Sequence, residues 1–151
     1  AVRENHVLKV KSITIFWFYI IFYKRTQSAS ADNSTDIAMT ASIINIHVSC
    51  SKLKKLDVGS ASDPIVVMFI PCNGKMVEIS RTEVIWNSSN PQFVKFFKAM
   101  YIFETLQPLW FDIYDVDSEK APLQNHDLIG YVETDVQHLI SNTSTSMKFE
   151  I

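Results

Sequence analysis

From residue 41 onward, the chain is a succession of short apolar segments separated by turn residues, and this pattern limits the possible folds most strongly. In 44–50, apolar residues alternate with polar ones, which is the period of a strand buried on one face. Further candidate strands are 64–71, 76–82, 92–98, 109–114, 128–134 and 146–151. No ten-residue segment has a helical period, and only 135–140 suggests a short turn of this kind. The pattern predicts an all-β fold, either an antiparallel sandwich or a barrel.

The first 39 residues differ from the rest of the chain. Residues 13–23 form an apolar run with basic residues on both sides, and 27–36 reads as a polar linker. The run is shorter than the roughly twenty residues that span a bilayer as a helix. It predicts an N-terminal extension, 1–39, ahead of a domain at 40–151. A secretory signal is the alternative, because residues 29–31 resemble a small-residue cleavage site, although two basic residues interrupt the path to it.

Composition argues against several functions. The formal net charge of -2 leaves no basic excess to neutralise phosphates, so we expect no nucleic-acid partner. With only three glycines there is no Gly-rich phosphate loop, and the four histidines lack a nucleophile motif or zinc-ligand spacing. We therefore expect a binding protein and not an enzyme. Cys50 and Cys72 lie in apolar stretches and are expected to be buried, reduced thiols.

Acidic residues gather in two clusters of the strand-rich part. The five aspartates concerned are Asp57, Asp63, Asp115, Asp117 and Asp127. Any one of them is an ordinary turn residue. Uncompensated carboxylates a few ångströms apart, however, repel by roughly a kcal/mol or more per pair, depending on the effective dielectric. Calcium takes roughly six to eight oxygen ligands at flexible angles, and the spacing does not fit an EF-hand loop. A calcium site divided between two loops is the resulting hypothesis.

Strand order brings the two clusters together. If successive strands run antiparallel, the connections 51–63, 83–91 and 115–127 all emerge at one end of the fold. Asp115 and Asp117 are two residues apart at a strand end, so their side chains point the same way. All five aspartates are therefore predicted to share that end.

Three motifs in this order, LDVGSASDP, YDVD and HDLIG, resemble those of a C2 domain, the calcium-dependent phospholipid-binding sandwich. Residues 42–142 more narrowly resemble the first C2 domain of the copine family. The stretches that carry this resemblance are VSCSKLKKLDVGSASDP, GKMVEISRTEVIWNSSNPQF and YIFETLQPLWFDIYDVD. The resemblance implies an antiparallel Greek-key β-sandwich of eight strands. Because seven strands are counted from Ile44 onward, we expect a domain that lacks its last strand. A copine would continue into a second C2 domain and a von Willebrand A-like domain, so we expect an N-terminal fragment.

The resemblance also assigns site residues. The calcium ligands of the family fall on Asp57, Asp63, Asp115, Asp117 and Asp127, and backbone carbonyls near them implicate Leu56 and Val116. Two positions depart from the copine pattern. His126 stands where copines often have another acid, and Ile65 replaces the usual aromatic residue after Asp-Pro.

The implied function is calcium-dependent binding to an anionic, phosphatidylserine-like membrane. In this mechanism the acidic loops repel lipid head groups until calcium neutralises them. Val58, Lys120 and Leu123 are the candidate membrane contacts, while Trp86 is expected at the core edge or, alternatively, facing the membrane. The expected location is the cytoplasm, with recruitment to the inner face of the plasma membrane when calcium rises. The alternative function is a calcium-insensitive C2-type module that binds protein partners.

Overall fold

The computed structural model describes residues 7–24, 36–54, 60–118, 120–141 and 147–150. Within these ranges there are eight strands, a short 3-10 helix (Leu123–Asn125) and one α-helix, α1 (Val136–Ser141). The strands are β1 (Val7–Lys24), β2 (Asp36–Ser51), β3 (Pro64–Cys72), β4 (Lys75–Arg81), β5 (Phe97–Ile102), β6 (Pro108–Asp115), β7 (Asp127–Asp135) and β8 (Met147–Glu150). They form two four-stranded sheets with the orders β5-β2-β1-β8 and β4-β3-β6-β7. All the strand pairs are antiparallel, so the prediction of an all-β sandwich is confirmed.

The core lies between the inner faces of the two sheets. The predicted alternation in β2 is correct, because Ile44, Ile46, Val48 and Cys50 are all fully buried. In β6 every second side chain, beginning with Leu109, is buried. Rings from the two sheets meet at Phe97 and Phe111, whose centroids are 5.4 Å apart. Burial of these side chains from both sheets is the main source of stability for such a fold.

The N-terminal apolar run lies in a strand of the first sheet. Residues 13–23 are part of β1, which pairs with β2 from Val7 opposite Ser51 to Lys24 opposite Asp36. β-Branched and aromatic residues, which dominate the run, favour strand structure. The described residues therefore contain eight strands, one more than the seven counted from the sequence. Residue 40, where the domain was expected to begin, lies within β2.

The fifth strand lies further along the chain than predicted. The sequence favours a strand at 92–98, but β5 begins at Phe97 and only Gln92 forms an isolated bridge, with Ser49. The Glu83 carboxylate explains the difference, because it accepts hydrogen bonds from the N–H groups of Val94 and Lys95 at 2.5 and 3.1 Å. Donors that are engaged by a side chain cannot join a strand ladder.

The short helical turn suggested by the sequence at 135–140 is confirmed as α1, which the Asp135 carboxylate caps by accepting the His138 N–H at 2.8 Å. The expectation that both cysteines are buried is corrected: both are free, but only Cys50 is buried and Cys72 is exposed. Cys72 is exposed because β3 ends there in a tight hairpin through Asn73 and Gly74, which both have positive φ. No helix in the described ranges is long and apolar enough to cross a membrane.

Candidate functional site at the acidic end

Three connections meet at one end of the sandwich, as strand order predicts. The Asp63 N–H donates to Asp115 Oδ1 at 2.6 Å, which joins the β2–β3 connection to the end of β6. The Val116 N–H donates to the Asp63 carbonyl at 3.1 Å, so each of the two segments donates one hydrogen bond to the other. The Asn87 N–H, in the β4–β5 connection, donates to Asp63 Oδ1. We call this end, with its three connections, the acidic end.

The β4–β5 connection holds the loop before β3 in place. Asn87 Oδ1 accepts the Ala61 N–H at 2.9 Å, and the Ser88 N–H donates to the Ser62 carbonyl at 2.9 Å. Asn87 has a φ of 52°, a left-handed conformation that asparagine tolerates better than most residues. Asn87 was not among the predicted site residues. Its signal in the sequence is an asparagine within a polar turn segment, a residue type whose side chain often bonds nearby backbone.

Asp115 has an unusual environment for a carboxylate. Its side chain ends β6 on the inner side of the sheet, and the residue is only 5% exposed. Oδ1 accepts the Asp63 N–H, but Oδ2 is buried and has no hydrogen-bond partner among the described residues. Leaving a buried charged oxygen without a partner is costly, and such oxygens in proteins are normally paired or bound to a metal. A hard cation held by carboxylates would satisfy it.

The other predicted ligands lie at the same end, with different exposure. Asp127 begins β7 directly opposite Asp115, and Asp117 follows β6 by two residues; both are exposed. Val116 is 3% exposed and is bonded to Asp63 through its N–H. Asp57 and Leu56 lie outside the described residues.

Four of the five predicted aspartate ligands lie within the described residues. Within the described ranges, no group of three or more His, Cys, Asp or Glu side chains is close enough together to hold a metal ion. The structure brings Asp63 and Asp115 into contact, places Asp117 two residues after Asp115, and places Asp127 opposite Asp115 on the neighbouring strand. Their roles as calcium ligands stay a prediction. The oxygen chemistry and the unpartnered Asp115 Oδ2 fit that prediction.

The candidate membrane contacts differ in exposure. Leu123 is partly buried and packs against a small apolar cluster of Ile65, Val67 and Val116, and its role as a membrane contact stays a prediction. Trp86 is 54% exposed, which fits the membrane-facing alternative better than the core edge. Lys120 is exposed as the prediction requires. Val58 lies outside the described residues.

Comparisons with known proteins agree with the fold. The family model for the C2 domain matches residues 43–151, and the chain belongs to the C2 domain family. Such domains are modules that bind membranes or proteins. The crystal structure of a C2 domain of RIM from Drosophila aligns with a TM-score of 0.52 at 13% identity, covering 97% of this chain and 98% of that one. At this identity the likeness shows the fold alone.

Two sequence relatives indicate which kind of C2 domain this is. Copine-B from Dictyostelium discoideum is 32% identical over 123 residues, which cover 78% of this chain and 23% of copine-B. Nicotinic receptor-associated protein 1 from Caenorhabditis elegans is 34% identical over 117 residues, covering 65% of this chain and 18% of that protein. The domain is therefore a copine-like C2 domain, as its motifs suggest. The chain spans less than a quarter of the length of these two relatives.

Proposed function

We propose that the acidic end binds calcium and, with calcium, the head groups of anionic phospholipids. The observation that carries this proposal is Asp115, whose buried Oδ2 has no hydrogen-bond partner among the described residues. A buried ionised oxygen without a partner raises the energy of the folded state, and a bound cation would remove that cost. The other aspartates at the same end supply further oxygen ligands of the kind that calcium takes.

The residues proposed to hold calcium are the aspartates predicted from the resemblance. They are Asp57, Asp63, Asp115, Asp117 and Asp127, with the backbone of Leu56 and Val116. Calcium, when bound, supplies positive charge and open coordination positions that lipid phosphate oxygens can fill. The bonds that join Asp63 to Asp115, Val116 and Asn87 fix the relative positions of the loops before any cation binds.

Charge explains why binding would depend on calcium. Ionised aspartates at one end repel an anionic lipid surface, and their neutralisation removes that repulsion. Exposed lysines near the same end, Lys54 and Lys120, then contribute attraction of about 1 kcal/mol each at a negatively charged leaflet. The proposed partner is accordingly a phosphatidylserine-rich membrane. The proposed location is the cytoplasm, with recruitment to the inner face of the plasma membrane when calcium rises.

Trp86 is the proposed aromatic membrane contact. It precedes Asn87, whose N–H bonds Asp63, so its ring is attached to the loop that positions the acids. At 54% exposure it offers an apolar surface with one polar N–H group, a combination that suits the lipid–water interface. It is proposed in addition to the predicted contacts Val58, Lys120 and Leu123.

Vesicle sedimentation with matched variants tests the proposal. We expect the protein to sediment with phosphatidylserine vesicles in calcium, and to remain in the supernatant with chelator or with neutral phosphatidylcholine vesicles. Asp115→Asn combined with Asp117→Asn should abolish calcium-dependent sedimentation. Asp112→Asn is the control, because Asp112 lies on the same strand but bonds the Tyr114 hydroxyl at 3.1 Å.

Thermal unfolding provides a second readout on the same proteins. Calcium at about 100 times its dissociation constant stabilises the folded state by roughly 2.7 kcal/mol. The double variant should lose this shift and the Asp112→Asn control should keep it. A full shift in the double variant would show that the assigned ligands are wrong. Vesicle binding that is equal with calcium and with chelator would support the alternative, a calcium-insensitive C2-type module.

A further inference from the structure

A second concave site lies between the edge strands β4 and β5, toward the end of the sandwich opposite the acids. Its volume is about 350 Å³, within the range of roughly 300–1,000 Å³ typical of small-ligand pockets. Met68, Leu109 and Val136 line it, and each is at most 2% exposed. The cavity therefore reaches the apolar core between the two sheets. We call it the interstrand groove.

One charged residue lies at the rim of the groove. Among the described residues that line it, only Lys98 of β5 is ionised; it alternates with the core-facing Phe97 and Ala99, and its side chain is exposed. No ion pair between Lys98 and a carboxylate occurs within the described part of the chain. An apolar channel with a single cation complements a ligand that has an apolar body and an anionic end.

Two backbone groups beside the groove are already engaged. Gln107 Oε1 accepts the Ile102 N–H at 2.7 Å, and Gln107 Nε2 donates to the Met100 carbonyl at 2.6 Å. These groups lie on the outer edge of β5, which would otherwise be open to pairing with another strand. A peptide strand added across Met100 and Ile102 would find these two groups taken and would bury part of its own backbone unpaired. An alkyl chain has no such requirement.

The walls also suit a flexible apolar ligand. Met68 and Met100 offer adaptable thioether side chains on opposite sides of the groove. Leu106 lines the groove while 76% of its surface is exposed, and an alkyl chain would cover part of that surface.

We propose that the interstrand groove binds a long-chain fatty acid, with the alkyl chain between β4 and β5 and the carboxylate beside Lys98. This site uses no residue of the acidic end and does not depend on calcium.

The two cysteines allow a direct binding assay. Cys72 is exposed and follows Pro71, which lines the groove. Burial raises the pKa of the Cys50 thiol to about 12, so at pH 7.5 Cys50 has almost no reactive thiolate. An environment-sensitive fluorophore can therefore be attached to Cys72 alone. The labelled protein is titrated, in chelator, with saturated fatty acids of increasing length and with the alcohols of the same length.

Chain length and head group give separate expected effects. Affinity should rise roughly four-fold per added methylene until the groove is full, because each buried methylene contributes about 0.8 kcal/mol. The acid should bind about two- to five-fold more tightly than the alcohol, since Lys98 is exposed and its ion pair is weakened by water. Lys98→Met should remove this preference and retain the dependence on length. Lys95→Met, an exposed lysine outside the groove, should change neither.

A groove-filling variant completes the test. Ala99→Phe places a ring where the alkyl chain would lie, and should abolish binding of acid and alcohol alike. Its thermal unfolding reports whether it folds, and Lys98→Met tests the site independently. The proposal is overturned if no fatty acid binds saturably, or if Lys98→Met keeps the acid preference. It is also overturned if the protein forms dimers that Ala99→Phe abolishes and that fatty acid does not dissociate, since a second copy would then be the occupant.

Discussion

The acidic end and the interstrand groove are built on the same two strands, yet their chemistry is opposite. β3 and β6 contribute Pro64 and Asp115 at the acidic end, and Met68 and Leu109 in the groove. At the acidic end, backbone N–H groups bond carboxylates and one carboxylate oxygen is left without a partner among the described residues. In the groove, the Gln107 side-chain amide bonds the backbone of Met100 and Ile102, and most of the remaining lining is apolar. The two proposed ligands therefore differ because different hydrogen-bonding groups remain unpaired at the two places.

The largest expected effect comes from the core that both sites share. Phe111 is fully buried and contacts Phe97 across the sheets. Phe111→Ala should destabilise the fold by about 3–5 kcal/mol through lost burial and a cavity. Denaturant unfolding measures this change, and the calcium response and fatty-acid binding should weaken together. Val94→Ala, at an 84% exposed position, is the control and should change stability by about 0.5 kcal/mol or less.

If Phe111→Ala weakened the calcium response and left fatty-acid binding at its full affinity, the two sites would not depend on a common core.

An intermediate effect should separate the two sites. Thr82 is 4% exposed, and its Oγ1 accepts the Val66 N–H and donates to the Glu83 carbonyl, both at 3.0 Å. Thr82→Val leaves these groups unpaired and should destabilise the protein by about 1–3 kcal/mol. Because Thr82 begins the connection that supports the acidic end, the calcium-induced shift should fall while fatty-acid binding persists. Thr82→Ser keeps the hydroxyl and should behave nearly as the parent protein; an equal loss in both variants would refute the hydrogen-bond explanation.

The smallest effects concern pH and two carboxyl groups in contrasting places. Partial burial by itself would raise the pKa of Glu83, but the N–H groups of Val94 and Lys95 bond the carboxylate and hold the pKa below its ordinary value. The ionised group therefore stabilises the fold above its ordinary pKa, and this contribution is lost as the pH falls toward the lower, folded-state value. Thermal unfolding in chelator should show Glu83→Gln less stable than the parent at pH 7. The difference should shrink as the pH falls through the acidic range.

Asp112 should show the opposite sign. Burial raises its pKa, and the Tyr114 hydroxyl bond only partly offsets this. Its charge therefore costs stability as the pH rises from below the ordinary aspartate pKa through the raised value. Asp112→Asn should be slightly more stable than the parent at pH 7, and should lose that advantage in acid. The same sign of pH dependence for both variants would contradict the contrast between the two environments.

Much of the fold was predictable because it depends on local pattern. The alternation of β2 and the order of turn residues predict a sandwich, and strand order alone predicts that Asp63 and Asp115 lie at one end. The position of β5 was not predictable. A side chain eleven residues away in sequence, Glu83, engages the N–H of Val94. The place of β1 in the sheet was not predictable either, because an apolar run between basic residues also fits an N-terminal extension or a secretory signal.

Residue type and spacing are enough to predict the class of fold, the copine-like motifs and the set of acids proposed to bind calcium. The folded structure adds that Asp115 Oδ2 is buried without a partner among the described residues, that Asn87 links two loops, that Trp86 and Cys72 are exposed, and that Leu123 is packed. The interstrand groove also depends on folding, because its walls come from segments far apart in the chain. Burial and hydrogen-bond pairing depend on which distant residues meet, and local pattern does not specify those contacts.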